Sequence, residues 1–290
     1  MRKILAALAA VLTVFVTTAV TASADVAQPL GSAPIPAGPA PNWLIADLDS
    51  GQVLAEQNGY AVTPPASTIK VLLALVALDE LNLDDTVVAS PADTQVECNC
   101  VGIKPGHAYT ARQLLDGLLL VSGNDAANAL ADMLGGPEAT VAKMNAKAAA
   151  VGATATHAST PSGLDGPGGP GATTPHDLAA IFRAALANPA FAQITAQPSA
   201  MFPTESGERP IVNMNELLAR YPGAIGGKTG FTDAARKTYV GAAARDGRRL
   251  VVAMMYGLIH EGGPTYWDQA AALLDWGFAQ GPLSGGVGSL

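Results

Sequence analysis

Two apolar runs near the C-terminal end, Thr238–Ala244 and Arg249–Tyr256, are joined by only Arg245-Asp246-Gly247-Arg248. So short a connection with Asp-Gly at its centre reads as an antiparallel hairpin. A second hairpin opens the folded part: Trp43 to Glu56 read WLIADLDSGQVLAE, two short apolar strands around Asp49-Ser50-Gly51. A further strand is expected over Ile225–Phe231. Between these strand-forming ends the pattern is helical. Pro64 and Pro65 place a helix start at Ser67, followed by the apolar run VLLALVALDEL. Two helices fill Thr110 to Leu134, broken at Val121-Ser122-Gly123, and others cover Thr140–Ala150 and Pro175–Ala187. A last helix runs from about Thr265 to Ala279. Strands from both ends must meet in one sheet, so the fold class is α+β: an antiparallel sheet flanked by helices, with a mainly helical insertion and three layers.

Of 290 residues, 49% are hydrophobic and 14% charged, enough for a large core. The formal net charge is −8, and −10 without Arg2 and Lys3. Such a chain lacks the clustered cations that phosphate neutralisation needs, so nucleic acid is not an expected partner. Only two cysteines are present, which excludes a disulfide-dense scaffold or a zinc ribbon. His107, His157, His176 and His260 form no close pair at helical ligand spacing, so no metal site is expected.

Arg2 and Lys3 precede an apolar run from Ile4 to Val20, and Ala22-Ser23-Ala24 supplies small residues for cleavage. Residues 1–24 therefore read as a secretory signal peptide, with an uncleaved anchor as the alternative. No later run reaches the roughly 20 apolar residues of a membrane helix, so no stable span is expected after cleavage. Residues 25–41, containing GSAPIPAGPAP, read as a Pro/Gly/Ala-rich linker.

Three short motifs carry chemistry. In Ser67-Thr68-Ile69-Lys70 the first and last residues share a helix face, so the amine can reach the hydroxyl. A Ser hydroxyl is a poor nucleophile until a neighbour takes its proton. Lys can be that neighbour if its pKa falls from about 10.4 toward 7–8. Alone, the tetrapeptide is better read as a helix-capping Ser and a surface Lys, although the apolar run from Val71 to Leu78 would place Lys70 at the buried end of a core helix. Ser122-Gly123-Asn124 sits where the helical pattern breaks, which lets both side chains enter a cleft or merely marks a boundary. Lys228-Thr229-Gly230 lies on the strand expected over Ile225–Phe231. There Gly admits a close substrate backbone, or the Lys simply protects an edge.

In sequence order the three lie 55 and 106 residues apart, each in a fitting context: helix start, interhelical loop, strand. With them the chain resembles the penicillin-interacting serine enzymes, specifically the low-molecular-mass D-alanyl-D-alanine carboxypeptidases. The resemblance runs from Trp43 to about Gly277 and includes ADLDSGQVLAEQN, PPASTIK, SGNDAANALAD, PSGLDG, TPHDLA and GGKTGFTDAARKTYVGAAA. It implies a β-lactamase/transpeptidase-like fold, without a cofactor, over a single catalytic domain at 42–290. The β-rich extension and anchor of many relatives are not expected. The implied substrate is a peptidoglycan stem peptide ending in D-Ala-D-Ala, with β-lactams as covalent inhibitors. The implied location is extracytoplasmic, in the periplasm, in the cell wall or secreted.

By the same resemblance Ser67 attacks, Lys70 is the base, Ser122 relays a proton to the leaving amine, and Lys228 keeps Lys70 poised. Asn124 would bond the substrate backbone, Thr229 its terminal carboxylate, and the N–H groups of Ser67 and Phe231 would form the oxyanion hole, with Gly230 between. The chain departs from the family in two places. No acid lies near Ile225, and Met214 precedes Asn215 where a cation is expected, leaving Arg236 or Arg220 as substitutes. The alternatives are a class A-like β-lactamase, a D,D-endopeptidase and a non-catalytic peptidoglycan-binding module. Against the first, no Glu occurs from Ala139 to Thr204 to activate a deacylating water; Asp165 is the only acid in the loop. Cys98 and Cys100, extended, would sit about 6.6–7.2 Å apart at the edge of disulfide reach, so a strained bridge and free thiols both remain open.

Overall fold

A computed structural model of the chain describes residues 26–258, 262–280 and 286–290. The expected signal peptide lies outside these residues. Strands β1 (Asn42–Asp47) and β2 (Gln52–Gln57) form the first hairpin, with Gly51 at φ 78° in its turn. A 3-10 turn over Ala66–Ile69 leads into α1 (Lys70–Glu80). The insertion follows: β3 (Thr86–Val88), α2 (Pro91–Thr94), β4 (Ala108–Thr110), α3 (Ala111–Leu120), α4 (Asn124–Met133) and α5 (Pro137–Ala150). Then come α6 (Pro175–Leu186), α7 (Pro189–Ala196), the hairpin β5 (Ser199–Thr204) and β6 (Gly207–Val212), and α8 (Leu217–Arg220). The chain ends with β7 (Ala224–Thr232), β8 (Arg236–Arg245), β9 (Arg248–Gly257), α9 (Tyr266–Ala279) and β10 (Gly288–Ser289).

The main sheet is antiparallel, in the order β10-β2-β1-β9-β8-β7. β1 pairs with β9 across two hundred residues of chain, which is how the strands of both ends join. Asp246 and Gly247 both take positive φ, 51° and 78°, the geometry that a two-residue hairpin turn needs. Alternate side chains then serve two cores. Leu44, Ala46, Val251 and Ala253 face α1, α3 and α6, whereas Trp43, Ile45, Val252 and Met254 face α9. Helices thus cover both faces, giving the expected three layers.

The Pro/Gly/Ala-rich stretch does not hang free. Ala27 pairs with Glu56, Trp276 Nε1 donates to Ala33 O at 2.8 Å, and Gln269 exchanges two bonds with Ala40. The linker read over 25–41 is therefore, over its described residues, a strap docked on β2 and α9. Composition hid this because the strap bonds through its own backbone groups to side chains of α9, met only in the folded state. The β5–β6 hairpin and α7 were also not foreseen. Pro203 and Pro210 interrupt the strand pattern of the hairpin, whose outer face is exposed.

Candidate active site

Ser67 sits in the 3-10 turn rather than in α1 itself, one turn-residue after Ala66, whose φ is 50°. A non-Gly residue in that region is strained, and the surroundings hold it there. Pro65 O accepts from Thr68 Oγ1 at 2.6 Å and from Thr238 Oγ1 of β8 at 2.8 Å, tying the turn to the sheet. Gly230 on β7 completes the contact: a Cβ there would lie 2.4 Å from Thr238 Oγ1 and 2.9 Å from Ser67 N. Glycine is required at 230 because the nucleophile's own turn approaches, not only to admit a substrate.

Lys70 is the first residue of α1 and is fully buried. Its Nζ lies 2.8 Å from Ser67 Oγ, 2.7 Å from Asn124 Oδ1 and 2.6 Å from Ser162 O. Burial pushes its pKa well below the usual lysine value; the nearby Lys228 adds to this and Asp125 opposes it. A neutral amine has two hydrogens and one lone pair. In its neutral form Lys70 would give those hydrogens to Asn124 Oδ1 and Ser162 O and keep the lone pair for the Ser67 hydroxyl. That is the arrangement a base needs before attack. Ser162 belongs to the PSGLDG loop, and its carbonyl role was not visible in the sequence, since any residue carries one.

Ser122 follows α3 at φ 61° and is buried, its Oγ without a hydrogen-bond partner among the described residues. Lys228, on β7, is also buried; its Nζ donates to Thr229 O at 2.8 Å and burial lowers its pKa to about 7. It is thus no edge guard, although β7 is the last strand of the sheet. Asn124 caps nothing with its side chain: Oδ1 holds Lys70 and Nδ2 donates to Glu97 O at 2.7 Å. Its amide oxygen thus serves the base, while one Nδ2 hydrogen stays available to the cleft that Asn124 lines.

Ser67, Ser122, Asn124, Thr229, Gly230 and Phe231 line one cleft of about 400 Å³. A larger hollow of about 490 Å³ is walled by Leu48, Arg183, Arg249, Leu290 and neighbours, with no Ser, Lys or His among them. The chemistry therefore belongs to the smaller space. Arg220 is held by Glu216 and Asp268, and Arg236 is exposed at the β7–β8 turn; neither lines the cleft. Lys237 does, opposite Phe231 in the strand register, its Nζ 5.1 Å from that ring's centre and 5.9 Å from that of Tyr266. Strand alternation would have favoured Arg236, which shares the parity of Thr238, but Arg236 takes a φ of 57° at the turn. Among the described residues no cluster of three His, Cys, Asp or Glu could hold a metal ion. Cys98 and Cys100 are bridged, their Cα atoms 5.0 Å apart. The chain bends between them, which is why the extended-chain distance was too long.

The comparisons agree with this geometry. The Peptidase S11 family, described as D-alanyl-D-alanine carboxypeptidase, matches residues 30–257. The chain belongs to that family. It is 76% identical over 269 residues to D-alanyl-D-alanine carboxypeptidase DacB2 of Mycobacterium tuberculosis, covering 93% of this chain and 92% of that protein. It is 31% identical over 258 residues to DacA of Escherichia coli, covering 84% of this chain and 62% of that one. A crystal structure of a D-alanyl-D-alanine carboxypeptidase from M. tuberculosis superposes with a TM-score of 0.89 at 76% identity, over 91% of this chain and 99% of that one. A Streptomyces DD-transpeptidase superposes at 0.79 with 29% identity, over 86% and 100%. The β-lactamase/transpeptidase-like α+β fold expected from the motifs is the fold observed.

Proposed function

We propose that this chain is a serine hydrolase that removes the terminal D-Ala from peptidoglycan stem peptides through an acyl-enzyme on Ser67. The observation that carries it is the buried Lys70 Nζ, 2.8 Å from Ser67 Oγ and also within reach of two acceptors, Asn124 Oδ1 and Ser162 O. Lys70 takes the Ser67 proton as Oγ attacks the penultimate D-Ala carbonyl. The N–H groups of Ser67 and Phe231 receive the oxyanion, a kind of contact worth about 3–4 kcal/mol per donor. Ser122, its Oγ free, passes a proton to the departing amine, and Lys228 supports the charge around both. Thr229 receives the terminal carboxylate. Water then cleaves the ester and restores Ser67. A β-lactam would follow the same attack, but its ring-opened leaving group stays attached and blocks water.

The β-lactamase alternative lacks its water-activating Glu, since Asp165 is the only acid from Ala139 to Thr204 apart from Asp177 on α6. Asp177 is bound by Ala155 N and Thr156 Oγ1, away from this duty. We place the protein outside the cytoplasmic membrane, with cleavage after Ala24, as one catalytic domain; the basic-apolar-small order of residues 2–24 supports this. Among the described residues no helix is long and apolar enough to cross a membrane. The test incubates the protein with a fluorescent penicillin and, separately, with a peptide ending in D-Ala-D-Ala. Label on Ser67 and released D-Ala are expected; absence of both sinks the reading.

A further inference from the structure

The Cys98–Cys100 bridge has no part in the mechanism above, yet Cys98 lines the same cleft as Ser67. Its neighbours reach the base directly. Asn124 N donates to Asn99 O at 2.6 Å, and Asn124 Nδ2 donates to Glu97 O at 2.7 Å. Asn99 lies inside the ring closed by the bridge, and Glu97 adjoins it. The other end of the same side chain, Oδ1, accepts from Lys70 Nζ at 2.7 Å.

The segment has little else to hold it. Residues 96–100 contain no helix or strand and, among the described residues, their backbone N–H groups make no hydrogen bond within the protein. Farther along, the Asp125 carboxylate accepts from Val101 N, Gly102 N and Ile103 N at 2.9, 2.7 and 3.0 Å. Asp125 therefore anchors 101–103 whatever the state of the cysteines. What the bridge adds is the position of the two carbonyls at 97 and 99. A covalent link between residues two apart limits the conformations of the residue between them, which sets where the Asn99 carbonyl points.

We propose that the Cys98–Cys100 disulfide is a positioning element for acylation, acting through Asn124 on Lys70, and that thiols slow the enzyme by opening it. This rests on the reading of Ser67 and Lys70 as nucleophile and base. Cys98 is exposed at the cleft and Cys100 partly so, within reach of a small thiol. The thiolate attacks the Cys98 sulfur, forms a mixed disulfide and expels the Cys100 thiolate, which takes up a proton. A second thiolate attacks the sulfur of the added group, leaving Cys98 as a thiol once protonated. Two small thiols are oxidised to one disulfide while the bridge is reduced. With Glu97 and Asn99 released, Asn124 loses its two outer restraints and Lys70 loses its fixed acceptor. Misplacement of a reacting group by about 1 Å costs on the order of 100-fold, so partial loosening is expected to slow acylation about tenfold.

The experiment measures the rate of Ser67 labelling by a fluorescent penicillin on the full chain, oxidised and after dithiothreitol, with free thiols counted. The oxidised protein labels first; its failure to do so would overturn the assignment of Ser67, not this one. About tenfold slower labelling after reduction, recovered on reoxidation, is expected. In a Cys98→Ser/Cys100→Ser variant the slow rate is expected with and without dithiothreitol. If that variant does not fold, the reduction and reoxidation arm decides. In Asn124→Ala the effect of reduction is expected to shrink below about twofold, because the coupling path is gone. Labelling within about twofold in the reduced wild type overturns the proposal. So does a loss of rate that circular dichroism shows to be global unfolding, or an undiminished redox effect in Asn124→Ala.

Discussion

The two halves of the cleft are finished to different degrees. On the Lys70 side every polar group has a partner: the amine meets Ser67, Asn124 and Ser162, and Asn124 is held at both ends. On the Lys228 side valences are open. Among the described residues, Ser122 Oγ is buried without a partner, and Lys228 Nζ makes one bond, to Thr229 O. A buried hydroxyl left unsatisfied costs about 1–3 kcal/mol. The difference teaches that the protein's own side chains and carbonyls position the base, whereas they leave the Ser122 hydroxyl and most of the Lys228 ammonium uncommitted.

The sharpest break of this comparison is at the prepared half. Ser67→Ala should abolish penicillin labelling, and Lys70→Met should slow it by about 10³-fold or more, as read by single-turnover labelling. Ser122→Ala should lower release of D-Ala by about 10²-fold while its thermal midpoint stays level or rises, since an unpaired buried hydroxyl is removed. A clear fall in that midpoint would show that Ser122 is satisfied before substrate arrives.

pH separates the halves further. The folded pKa of Lys228, about 7, lies below its ordinary 10.5 because burial disfavours the ammonium. Unfolding therefore takes up a proton between these values, so stability should rise with pH from about 7 toward 10.5, by up to about 1.4 kcal/mol per unit for this group. Lys70 pulls in the same direction. In Lys228→Met the slope should lose one proton's share, measured by urea unfolding at successive pH values. Wild-type labelling should also fall as pH rises through about 7 and Lys228 discharges; an unchanged rate to pH 9 would remove its charge from the mechanism. The smallest effect expected is at Lys237. Its replacement by Met should raise KM for the D-Ala-D-Ala peptide severalfold with little change in kcat, consistent with a partly exposed ion contact.

Much of the fold was legible where it depends on near neighbours. Asp246-Gly247 dictates the β8–β9 hairpin, Pro64-Pro65 the entry to the nucleophile turn, and Val121-Ser122-Gly123 the break between α3 and α4. Strand boundaries for β7 to β9 moved by one or two residues. Illegible were elements whose stability is owed to distant partners. The strap over 26–41 needs Trp276 and Gln269, and the β5–β6 hairpin contains two prolines.

The site divides in the same way. Spacing within the chain determined which residues carry chemistry: Ser67 and Lys70 are three apart, Ser122 and Asn124 share one loop, and Lys228 to Phe231 lie on one strand. Contacts between segments decided what each residue does. Asn124 holds the base because Glu97 and Asn99 lie beside it, Gly230 must be glycine because Ser67's turn crosses it, and Lys237 rather than Arg236 enters the cleft through its register with Phe231. Residue type and spacing are local properties, written in the order of the chain. Lowered lysine pKa values, a filled or vacant hydrogen bond and a blocked Cβ arise only when remote segments exclude water from one another, and the sequence alone contains no distance between them.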